Sequence, residues 1–119
     1  MRILRTAALA AVLALTGTAG GALAHHGWGN YDAEKTVVLT GTVSRLAWGT
    51  PHVSLWMMHD GRETEVILAP PTRMTNRGLT EAMIAAGATV SLDAYPHREG
   101  KAEFRAERIR VGDQTVELR

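Results

Sequence analysis

Five histidines, His25, His26, His52, His59 and His97, are the residues of this 119-residue chain best suited to chemistry. Two of them are adjacent and directly follow Ala22-Leu23-Ala24. Small residues at the first and third of those positions match the pattern that precedes a leader-peptide cut. A cut after Ala24 would make His25 the first residue, with its α-amine and imidazole both offered to one metal ion. Nitrogen donors in a tetragonal arrangement favour Cu(II) or Ni(II), and Cu(II) stands highest in the divalent affinity order. The amine binds only when deprotonated, so affinity is expected to rise with pH. The candidate metal ligands are His25, His26, His52 and His97, and the expected metal is copper. No two histidines have the helical spacing of a zinc protease, and there is no cysteine for a structural zinc site. Ser44, Ser54 and Ser91 lie in strand-like stretches without nucleophile-elbow glycines. No catalytic residue is assigned.

His25 with its free amine resembles the amino-terminal copper brace of secreted copper proteins and polysaccharide monooxygenases. The short chain and its expected fold do not match the oxygenases. The sequence before His25 fits an export signal. Arg2 and Arg5 give the positive start, and Ala7 to Leu15 gives an apolar run too short to span a bilayer. Residues 1–24 are therefore read as a signal peptide, residues 25–34 as an irregular segment and residues 35–119 as one domain. The expected location is the periplasm, reached by general export, with an uncleaved anchor as the alternative. Loss of Arg2 and Arg5 takes thirteen basic residues to eleven, against twelve acidic ones. That balance gives no electrostatic case for nucleic acid or an anionic membrane. Without cysteine the domain must be held by its core.

The elements that must position these histidines are mostly strands. Lys35 to Trp48 alternates Val37, Leu39, Gly41 and Val43 with polar residues, and Leu46 and Trp48 then change parity. A bulge or bend near Gly41 to Arg45 would explain the change. His52 to His59, Arg62 to Ala69, Ala88 to Ala94, Lys101 to Val111 and Thr115 to Leu118 read as further strands. Asp60-Gly61 is a hairpin signal. Within Thr72 to Ala86 the spacing of Leu79, Met83 and Ile84 predicts one short helix starting near Thr80 and stopping at Gly87. Met57 and Met83 are expected in the core. Trp28 and Trp48 are expected beside the histidine-bearing loops, and Arg73, Arg77 and Arg98 at the solvated surface.

The element order predicts an all-β domain with one short helix, an OB-fold-like five-stranded barrel. An open β-sandwich is the alternative. In the barrel reading, the loops carrying His52 and His97 share one rim and His59 lies at the other. The mature N-terminus also enters from the His59 rim, so it must fold back to reach His52. If it does not, His59 becomes the nearer partner. The function expected is non-enzymatic copper binding. The alternative is a metal-free module that takes a small ligand or protein partner at the rim.

The chain also resembles a family of small exported bacterial proteins known only as a domain of unknown function. The residues carrying this are Ala24-His25-His26, Tyr31-Asp32, Leu39-Thr40-Gly41-Thr42-Val43, Trp48-Gly49-Thr50-Pro51-His52, Arg77-Gly78-Leu79, Gly87-Ala88-Thr89-Val90 and Tyr95-Pro96-His97-Arg98. Thr50 stands where Asn is common, and Gly27 where Ser is common. The resemblance implies a periplasmic home and supplies no substrate.

Overall fold

The computed structural model describes residues 27–119; the stretch read as a signal peptide, His25 and His26 lie outside the described residues. Six strands form, β1 (Val37–Ala47), β2 (Ser54–His59), β3 (Arg62–Ile67), β4 (Thr89–Pro96), β5 (Glu103–Val111) and β6 (Gln114–Glu117), with helix α1 (Pro71–Asn76) between β3 and β4. The sheet order is β3-β2-β1-β4-β5-β6, and β3 also pairs with β5 in parallel. That extra pairing turns the sheet back on itself, so β1, β2, β3, β5 and β4 form a ring. This is the barrel order expected for an OB-like domain. Beyond the three-residue seam with β3, the same edge of β5 is covered by β6, from Arg108 to Val111.

The long first strand serves both halves of the ring. Its residues Val37 to Thr42 pair with β4, and Val43 to Ala47 pair with β2. Between Val43 and Arg45 the register slips by one residue, which makes Ser44 a bulge. The Ser44 hydroxyl donates to the Trp56 carbonyl at 2.9 Å. Before the bulge Leu39 and Val43 point inward; after it Leu46 packs on the core. At Gly41 a Cβ would come within 3.0 Å of the Met57 methyl, so a larger residue would compete with that core side chain. Leu39, Leu55, Val66, Leu92 and Ile109, from all five ring strands, are essentially inaccessible. Trp56 on the outer face of β2 lies under the Arg45 guanidinium, 3.9 Å from its ring centroid, whereas Met58 beyond it is exposed.

Asp60 and Gly61 both have positive φ, as the tight turn between β2 and β3 requires. The helix differs in place from the expectation. It starts at Pro71, at the first helical position, and ends before Gly78 at φ +91°. The Leu79 amide donates to the Met74 carbonyl and the Gly78 amide to the Thr75 carbonyl, a Schellman closure. Met74 and Leu79 are both fully buried and plug the barrel. Glu81–Ile84 forms only a single 3-10 turn, entered from extended Thr80. Among the described residues no helix is long and apolar enough to cross a membrane.

Candidate metal centre and rim cleft

The segment from Gly27 to Asp32 lies across the outer surface of β4 and β5. The Asp32 amide donates to the Pro96 carbonyl at 2.9 Å, and the Arg98 amide to the Asn30 carbonyl at 2.9 Å. Tyr31 makes an isolated antiparallel bridge with His97, is buried, and hydrogen-bonds through its hydroxyl to the Glu103 carboxylate. Burial and that carboxylate push the Tyr31 phenol well above its ordinary range. Trp28 packs edge-on against Tyr95, with ring centroids 5.6 Å apart. The guanidiniums of Arg105 and Arg119 sit 4.6 Å and 4.8 Å from its ring centroid. The path thus begins beside Arg105 on β5 and reaches the level of the β4–β5 loop at Asn30 to Asp32.

Gly27, the first described residue, accepts a long hydrogen bond of 3.4 Å from Arg105 Nη1 through its carbonyl. Arg105 is 4% exposed, and its Nε has no hydrogen-bond partner among the described residues. Burial pulls its pKa down; the nearby Tyr31 hydroxyl opposes this and the Arg73 cation adds to it. His52 is half-buried where the chain enters β2, just after the cis Thr50–Pro51 bond. Burial first, then the Arg105 and Arg73 cations, hold its imidazole below the usual histidine range. His52, Arg105 and Arg73 therefore share one electrostatic neighbourhood, and Gly27 is bonded to a member of it.

His97 is placed elsewhere. Its ring meets Tyr31 edge-on at 5.5 Å, and its Nδ1 accepts the Glu99 amide at 3.1 Å. It lines a cleft of about 200 Å³ together with His59. The loops after β1 and β4 were expected at one rim, and the ladder separates them. β4 runs antiparallel to β1 and sets Ala94 against Val37, so the loop after β4 returns to the start of β1. The loop after β1 lies beyond its far end. The partner of the His97 loop is instead the Asp60-Gly61 turn, and His59 shares its cleft.

Three arginines expected at the solvated surface tie down backbone. Arg73 donates to the Leu118 carbonyl, Arg77 to those of Glu117 and Arg119, and Arg98 to that of Gly29. Trp28 walls the outer face of β5, and Trp48 packs partly on the core. Arg105 carried no sequence signal for this role: alternation after Phe104 puts it outside the barrel, and the segment crossing above buries it. Among the described residues no three His, Cys, Asp or Glu side chains are grouped to hold a metal.

No curated protein gives a significant match to the chain. The model of DUF6152, a family of unknown function, matches residues 12–106, which include the Tyr31–His97 bridge, His52, strands β1 to β4 and the first residues of β5. The chain belongs to the DUF6152 family.

Proposed function

We propose that this protein is an exported copper-binding barrel without catalytic activity of its own. Its site is a brace made by the His25 α-amine and imidazole with the His52 imidazole, and the adjacent His26 is a candidate further donor. The supporting observation is the anchoring of Gly27. Its carbonyl is held by Arg105, whose charge is felt at His52. One residue, His26, separates His25 from Gly27, so the two lie two steps apart along the chain, a reach of at most about 7 Å. The fold-back that such a site requires is thus already begun by the Gly27–Asp32 path along β5. His52 also suits the role chemically, because an imidazole held below its ordinary pKa stays neutral, and only the neutral ring binds a metal. Storage, delivery or buffering of copper are the roles open to a site with this donor set.

The test is copper titration of untagged protein beginning at His25, with paramagnetic resonance of the product. One-to-one binding with a nitrogen-rich tetragonal signal is expected. One Ala placed before His25, or His52→Ala, should each weaken binding by more than about tenfold, the low end of losses seen even for outer-shell partners. Equal affinity for the extended and native proteins would overturn the brace.

A further inference from the structure

The cleft between the Asp60-Gly61 turn and the β4–β5 loop takes no part in the proposed copper site. Its floor is the ring of Phe104, which is nearly buried, and His59 meets that ring edge-on at 5.4 Å and 86°. Asp60, Arg62, His97 and Lys101 line the remainder. Two imidazoles in one cleft suggest a metal, but no third donor joins them among the described residues.

The polar groups are mostly donors. His97 Nδ1 already accepts the Glu99 amide, so the proton of the neutral ring sits on Nε2. Arg62 makes no ion pair among the described residues. Lys101 is met only by Glu99, at 3.4 Å on the exposed surface. Asp60 is the one acid of the lining, and it is engaged by His59 Nε2 at 3.3 Å. With neutral imidazoles the lining carries two positive charges and one negative, a net +1. A volume of about 200 Å³ lies below the range usual for drug-sized ligands, about 300–1,000 Å³, so the occupant is small.

We infer that this cleft binds a small monocarboxylate with a flat apolar body, the body against Phe104 and the carboxylate toward His97, Arg62 and Lys101. The arrangement is the usual one for a small-molecule site, an apolar wall with a few convergent polar groups. The metal-free, full mature protein titrated with benzoate, followed by amide and imidazole NMR, tests it. Saturable shifts confined to His59, Thr64, His97, Lys101 and Phe104 are expected, with Kd on the order of 1 mM for a ligand of this size. Benzyl alcohol keeps the ring and lacks the charge, and should bind at least about tenfold more weakly. In the doubly substituted Arg62→Ala, Lys101→Ala protein both altered side chains lie at the surface, so the fold should persist while the preference for benzoate disappears. An absence of saturable shifts, or equal binding of benzyl alcohol and benzoate, would overturn the proposal. An Ala before His25 should leave benzoate binding unchanged, so failure of the copper site and failure of this one are read separately.

Discussion

Arg105 carries the most unusual single-residue energetics in the molecule. A guanidinium 4% exposed normally faces a carboxylate; this one faces a tryptophan ring, one backbone carbonyl and, at Nε, no partner among the described residues. Leaving a buried polar group unmatched costs about 1–3 kcal/mol. An apolar replacement of similar shape removes that penalty along with the charge, and such exchanges are often neutral or stabilising. Arg105→Met should therefore leave the urea midpoint of the metal-free protein unchanged or raised. It should also release the Gly27 carbonyl, and copper affinity should fall even though the residue is no proposed ligand. A large drop in stability without change in copper affinity would mean that the arginine supports the barrel rather than the amino-terminal path. Nothing in the periodicity of β5 announced this role. Alternation places Arg105 outside the barrel, and only the segment crossing above turns outside into buried.

At the scale of elements, the strands were legible because each buries one face, and the parity switch in β1 correctly located the Ser44 bulge. The helix was misplaced for a physical reason. Leu79, Met83 and Ile84 have helical spacing, but Gly78 takes a left-handed φ and Thr80 is extended, so they belong to a cap and a 3-10 turn. The real helix shows only one buried residue, Met74, too little for a periodic signal. Gly78→Ala meets no neighbouring atom within 4 Å, so its effect is purely conformational. It should lower stability by about 1 kcal/mol in urea denaturation. A second element-level effect sits on the outer face of β4 and β5. Asp93 accepts from Arg110 at 2.7 and 3.0 Å and from Arg108 at 2.8 Å. Arg110 foremost, with Arg108, holds the Asp93 carboxyl below its usual range, against the opposing effect of burial. The unfolded chain takes up this proton first, near pH 4. The stabilisation is thus complete above that pH and is lost as pH falls toward the lower folded value. Asp93→Asn should lower Tm at pH 7, and its Tm should fall less than that of the native protein as the pH is lowered below about 4, so that the gap between the two narrows.

For the whole molecule, the ring order could be read from the succession of strands, yet the rim at which each loop emerges could not. That depends on which strands pair: β4 lies antiparallel to β1, and the β4–β5 loop returns to the start of the barrel. Residues 27–34 precede the first strand, yet they pack as part of the domain. Tyr31 is 4% exposed, bridges to His97 and bonds Glu103, and Trp28 covers Tyr95 and Arg105. The aromatic pair therefore behaves as part of the core's outer layer. A chain beginning at Lys35 retains every strand but uncovers that layer. Burial of a large aromatic side chain contributes roughly 1.5–3 kcal/mol. Truncation should then lower the unfolding free energy by about 3 kcal/mol, a large share of the roughly 5–15 kcal/mol typical of a domain. Urea denaturation compared between chains starting at His25 and Lys35 measures this directly. Coincident midpoints would mean that the segment rests on the barrel without stabilising it, and the fold-back on which the copper site depends would lose its energetic basis.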